Sequence, residues 1–364
     1  MFFGSFGQFY EERLKPGINA LRKSQTPLEE LVGAAEKIIH KKFTPDSRST
    51  YNYKKDSREI SVGLDKIMLA MLACTEECGG ESGKRYVACA ISACSEEEDV
   101  VGALEALGTT WLTHFLFIFK TSKGHGHRPS KNSFSDNVII RDGYTCVLTG
   151  FQDSSHPKPA KGTPRLGLVG AHILPMAISE FDKDHDSKSF QSAMTTFDIL
   201  INFARIPVQT IEELRDKLND PSNGMTLQYD GRTAFDRFYW CLKRTEKEHV
   251  YDLKIFEDEG ILRQPENNRI SFHDHSNDFL SDSTCKRNLP VNLPDHHHIA
   301  IHAAIAEVLN MSGAGRFFDE LLAEYKGNKG KMPSVRSWLE LEALMEEVLL
   351  RESIMKAFQL VATS

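Results

Sequence analysis

The chain has 364 residues, enough for two to three domains of ordinary size or for one core with insertions. Hydrophobic residues make up 40% and charged residues 26%, the balance of a soluble globular protein, and no run of 18 consecutive apolar residues reads as a membrane span. The net charge of −7 excludes a protein that is basic throughout, and the odd set of seven cysteines favours reduced thiols over a disulfide framework. Glu11, Glu12 and Arg13 arrive too early for the apolar stretch of a signal peptide, so an intracellular location, cytoplasmic or nuclear, is expected.

Residues 1–122 read as a helical N-terminal region. "TPLEELVGAAEKIIHKKF" offers Thr26 as an N-cap with Glu29 three residues on. "EISVGLDKIMLAMLAC" and "KRYVACAISAC" carry apolar residues at three- and four-residue steps. "SEEEDVVGALEALGTTWLTHFLFIFK" opens with Ser95 and acids and ends apolar nearly all round, so Phe115, Phe117 and Phe119 are expected in a core. Cys74, Cys78, Cys89 and Cys94 lack the tight knuckle spacing of zinc ligands and are expected as buried thiols on helix faces.

Residues 123–137 read as a basic linker; the overlapping stretch "KTSKGHGHRPSK" holds no acid and suits phosphate even in an acidic molecule. The third region, 138–290, changes pattern. "NVIIRDGYTCVLTG" reads as two short β runs around an Asp142–Gly143 turn. "GLVGAHILPM" is a strand that stops at proline and carries His172. Residues 176–220 read as a helical insertion, followed by "DPSNGMTL", a short helix in "DGRTAFDRF" and a hairpin in "YWCLKRTEKEHVYDLKIF". Residues 291–364 read as C-terminal helices. There Asp295 is expected to cap a helix whose first residues, His296, His297 and His298, are solvated, and the pair His298 and His302 lacks a further ligand for a metal. The amphipathic "SWLELEALMEEVLLRESIMKAF" makes a homodimer through the helical regions a further expectation.

The order hairpin, strand with histidine, loop with asparagine, then helix resembles the HNH nuclease family. It is most similar to HNH-domain proteins common in fungi, whose pattern runs RDG-x-C-x-x-TG, AHI-x-P, NG-x-x-L-x-x-DLH-x-x-FD, and the resemblance covers residues 138–315. It implies an α+β fold: a ββα-metal core with β-hairpins, flanked by N- and C-terminal helical regions. It also implies an endonuclease that hydrolyses DNA phosphodiester bonds with a divalent metal ion, Mg, Mn, Ni or Zn. Such hydrolysis needs an attacking water, a base and a cation. His172 takes the place of the base, and neutral imidazole is suited to accept a proton near neutral pH. Asn223 takes the place of the asparagine that holds the loop and orients that ring, and Asp236 is the metal ligand. Arg232, Lys131 and Arg141 are the expected phosphate contacts along the DNA backbone.

The sequence departs from the family at the metal. Ala171 stands before the base histidine, where a ligand is expected and alanine offers no donor atom. Arg232 stands in "DGR" where the family has "DLH", and a guanidinium is a donor that keeps its proton. On a helix, Arg232 and Asp236 share a face. Two readings follow: Arg232 replaces the cation as a fixed charge for phosphate, or the site is a degenerate scaffold for DNA or protein binding. Cys146 in C-x-x-T has no second cysteine, so a structural zinc is not expected.

Overall fold

The computed structural model describes residues 6–55, 58–120, 133–179, 187–279, 291–324 and 338–343. Its elements begin with helices α1 (Phe6–Phe9), α2 (Lys15–Arg22) and α3 (Leu28–Ile38). An antiparallel hairpin follows, β1 (Thr50–Lys55) and β2 (Arg58–Gly63). Then come α4 (Leu64–Cys74), α5 (Glu76–Ala93), α6 (Val100–Thr110) and α7 (Phe117–Lys120).

The hairpin corrects the all-helical reading of residues 1–122. Glu59–Gly63 alternate polar with apolar, and Tyr51 pairs with Val62 and Tyr53 with Ile60, so one face of the ribbon lies on the helical core. The four N-terminal cysteines are buried free thiols, and burial pushes the Cys74 thiol up to about 12. Phe115, Phe117 and Phe119 are buried as expected. The helical run Val100–Lys120 is long and apolar enough to cross a membrane, yet 83% of its window is buried inside the body.

A second set of elements follows: α8 (Ser133–Arg141), short strands β3 (Gln152–Asp153) and β4 (Arg165–Leu166), then β5 (Leu168–His172). The insertion supplies α9 (Lys188–Ala204) and α10 (Ile211–Asn219), and the chain returns as β6 (Gly224–Gln228) and α11 (Tyr229–Asp236). A three-stranded antiparallel sheet comes next: β7 (Trp240–Arg244), β8 (Val250–Ile255) and β9 (Arg269–Ser271). Helices α12 (His296–Ser312) and α13 (Ala314–Glu324) follow, and residues 338–343 are helical as well. The architecture is mixed helix and small sheets, an α+β fold.

The expected hairpin at Asp142–Gly143 is instead the end of a helix. Val138, Ile139 and Ile140 favour strands, but Phe134 and Val138 lie one helical turn apart and are both buried, with α8 packed on β5 and β6. Gly143 and Tyr144 have φ of 64° and 54°, and their N–H groups donate to Ile140 O and Ile139 O. The Asp-Gly pair therefore closes a helix in the left-handed region rather than turning a hairpin.

Two cores result. The large one joins α2–α7 with α9, α10, α12 and α13. The insertion therefore packs into the helical body, where α9 lies against α5. The smaller core gathers Cys146, Leu148, Ala171, Ile173, Met225, Leu227, Phe235, Trp240 and Leu242 around β5–β6 and β7–β8. Helix α12 serves both, with Ile299 in the small core and Ile301 and Ile305 in the large one.

Candidate functional site

Strands β5 and β6 pair antiparallel, with Leu168 opposite Gln228 and His172 opposite Gly224. Strand β6 runs directly into α11, whose start is capped by the Gln228 side chain accepting from Asp230 N–H at 2.8 Å. This strand–strand–helix unit carries His172, Asn223 at its loop, and the Arg232–Asp236 pair.

His172 ends β5 half-buried. Its imidazole lies flat against the Phe134 ring, with centroids 4.0 Å apart and planes 2° apart. Gly224 makes room for this stack: a Cβ there would sit 2.7 Å from Phe134 Cζ and 2.8 Å from Val138 Cγ2. Gly170 does the same two register pairs away, where its N–H donates to Ser135 Oγ at 2.9 Å and a Cβ would meet Ser135 Cα at 2.8 Å. The two glycines let α8 press onto the strand pair and hold Phe134 over the histidine.

Asn223 is fully buried, and its side chain is spent on the backbone. Nδ2 donates to Leu174 O and Leu218 O at 3.0 Å each, and Oδ1 accepts from Leu174 N–H at 2.9 Å. Asn223 O also accepts from Ile173 N–H. The Asn223 side chain therefore holds the loop backbone at Leu174 and Leu218.

Arg232 and Asp236 share one face of α11 as their spacing requires, with Nε 3.4 Å from Oδ2. Both side chains are partly exposed. Ala171, where the resemblance expects a ligand, is fully buried. Among the described residues no group of three or more His, Cys, Asp or Glu side chains is placed to hold a metal ion. At the ligand positions that the resemblance implies, Ala171 offers no donor atom, Arg232 is a guanidinium and the Asp236 carboxylate is paired with it, so these side chains do not fit a divalent cation.

Arg141 corrects the reading as a phosphate contact. It is fully buried, and all five of its N–H donors are engaged. Nε and Nη2 fork onto the Asp142 carboxylate at 2.8 and 3.1 Å, Nη1 donates to Pro221 O and Asn292 O, and Nη2 also donates to Gly224 O. Asp142 Oδ2 in turn accepts from Thr226 N–H at 2.8 Å. The pair thus ties α8 to β6 and to both approaches of the site. The "RDG" run was the available signal for it. Lys131 lies outside the described residues, as does most of the basic stretch. Lys120, which begins that stretch, is buried between Asp319 at 2.9 Å and Arg237 O at 3.2 Å, and burial lowers its pKa despite the carboxylate.

The histidine run also differs from expectation. Asp295 does cap α12, accepting from His297 N–H and His298 N–H. His296 is exposed, but His298 is only 4% exposed and His302 only 3%. His302 is stacked on Phe235 at 3.7 Å and on Phe238 at 4.6 Å, which pins α12 to the end of α11.

Residues 146–243 match the family model described as HNH endonuclease. No curated protein and no solved structure matches the chain. The matched segment spans β5, β6, α11 and most of β7, the elements that carry His172, Asn223, Arg232 and Asp236, and so supports an HNH-domain protein.

Proposed function

We propose that the HNH domain engages DNA through its phosphate backbone, with Arg232 supplying the positive charge that a metal supplies in the family, and that divalent-metal hydrolysis is lost or feeble. The observation that carries this reading is the Arg232–Asp236 ion pair on α11, at the helix position where the resemblance puts the metal's histidine. A guanidinium binds phosphate oxygens through a planar fork, so the site keeps an electrostatic role without a cation. Such binding is largely independent of sequence and falls steeply with salt.

The experiment pairs binding with cleavage on one preparation. Plasmid and oligonucleotide DNA are expected to bind at low salt and to release as salt rises, with binding weakened about tenfold in Arg232→Ala. Plasmid nicking is expected to stay at background with Mg²⁺, Mn²⁺, Ni²⁺ or Zn²⁺. Absence of DNA binding at low salt sinks the reading.

A second reading, hydrolysis that persists weakly, is favoured by His172 at the strand end, where the family keeps its base. Nicking that needs a divalent ion and disappears in His172→Ala would establish it in place of the first. In that case Arg232→His, which restores the family's ligand type, is expected to raise the rate.

A further inference from the structure

A cavity of about 420 Å³ opens between the segment that follows α8 and the segment that follows β9. Its lining includes Gln152, His156, Phe272, His275 and Phe279, and none of its lining residues belongs to the β5–β6–α11 unit. The volume falls within the roughly 300–1,000 Å³ of small-ligand pockets. We propose that this cavity receives one unpaired nucleobase of a DNA strand, with the neighbouring phosphates on the basic loop at its rim. The proposal rests on the reading that the HNH domain engages DNA, and adds to it a place for a base.

The first observation is a cluster of rings. Phe279 packs at a steep angle against His156 at 4.8 Å and Tyr144 at 5.8 Å, and His156 lies 5.6 Å from Tyr144. Phe279, Tyr144 and His275 are only half-buried, which leaves ring surface for a further ring. The cluster is held in place by its own surroundings. His275 N–H donates to Arg141 O at 2.8 Å, its Nδ1 pairs with Asp278 Oδ2 at 2.6 Å, and a Cβ at Gly143 would come within 3.2 Å of its Cβ and Cγ. His156 Nδ1 accepts from Lys158 N–H at 3.0 Å, and burial and the nearby Arg165 guanidinium lower its pKa, so that ring is neutral. Every base has a π-face, so stacking on such rings tolerates any sequence and suits binding led by the backbone.

The second observation is charge. Residues 154–167 contain Lys158, Lys161 and Arg165 and no acid, in a chain of net charge −7. All three cations are exposed. Two lining residues tie this loop to the cavity: His156 through Lys158 N–H, and Gln152, whose Oε1 accepts from Ala160 N–H at 2.8 Å. A strand that places a base among the rings therefore meets cations with its phosphates. The acids of residues 272–279 oppose a strand, but Asp278 is paired with His275, and Asp274 Oδ1 accepts from Ser276 N–H at 2.9 Å.

Fluorescence anisotropy on the full chain compares three duplexes of one length: fully paired, with one bulged base, and with an abasic residue at the bulge. The abasic probe keeps every phosphate and removes only the ring. The bulged duplex is expected to bind about tenfold tighter than the abasic one. Phe279→Ala is expected to abolish that difference and to leave binding of the paired duplex unchanged, whereas Phe279→Tyr retains the difference. The Lys158→Ala/Lys161→Ala double variant is expected to weaken binding of the bulged duplex and to reduce its salt slope by about one to two. Equal affinity for the bulged and abasic duplexes, in a chain that binds the paired one, overturns the proposal and leaves the reading of Arg232 standing. Absence of binding to any of the three at low salt sinks both. The abasic comparison needs no variant, so it decides even if Phe279→Ala fails to fold. Saturable binding of thymidine monophosphate with no preference for the bulged duplex makes the ligand a free nucleotide and overturns the strand.

Discussion

At Arg141 the difference between a surface contact and a keystone becomes measurable. Removing its side chain leaves the Asp142 carboxylate buried with only backbone donors and strips a partner from the carbonyls of Pro221, Asn292 and Gly224. Breaking one half of a buried ion pair costs about 3–5 kcal/mol. Arg141→Ala is therefore expected to lower the unfolding free energy from urea denaturation by that much, whereas loss of a phosphate contact would spare stability and weaken DNA binding. Arg141→Lys keeps the charge but offers three donors from one atom, so it is expected to recover only part of the loss. The sequence placed an arginine beside an aspartate and a glycine, and that composition suits a phosphate site as well as a buried fork. Only burial separates the two, and burial depends on chain segments 80 and more residues away.

His302 makes a second prediction at this scale. Burial between two phenylalanine rings lowers its pKa from the usual 6.5 to about 3. The unfolded chain therefore binds a proton that the folded chain refuses between about pH 6.5 and about pH 3. Its contribution to stability is intact above about pH 6.5 and is lost as pH falls, at about 1.4 kcal/mol per pH unit. His302→Gln is expected to flatten that acid slope in denaturation measured from about pH 7 to about pH 4.

Among the elements, α8 was the least legible and β5 the most. The strand reading of "GLVGAHILP" held because its apolar run, its bounding proline and its histidine all agree with a buried strand end. Helix α8 was misread because three consecutive β-branched residues precede an Asp-Gly pair, and both local signals favour a hairpin. What overrides them is the surface the helix finds, a strand pair thinned by Gly170 and Gly224. Gly224→Ala is therefore expected to cost about 1–3 kcal/mol by overpacking Phe134 and Val138. It is also expected to shift the His172 ring protons, which now lie over the Phe134 face, in an NMR spectrum. The order of β5, β6 and α11 could be read from the motif, but the helix that covers His172 could not, because "SFSDNV" has no place in that pattern.

Across the whole molecule, the chain leaves the small core after Ile173, contributes α9 and α10 to the large one, and returns as β6. The two strands of the HNH unit are thus neighbours in space whose connection is folded into another body. That has a consequence in time. Closing a long loop costs entropy before its strands repay it, and the cost falls once the loop's own helices are docked. The helical body is expected to form first, with β5–β6 pairing following it. Trp111 is buried in the body and Trp240 in the small core, so each reports one step. Trp338 also lies in the large core, so in stopped-flow refolding of variants that keep Trp111 or Trp240 as their single tryptophan, the Trp111 signal is expected to settle before that of Trp240. A destabilising Leu200→Ala in α9 should slow both; simultaneous signals in the parent variants would mean that the two cores condense together.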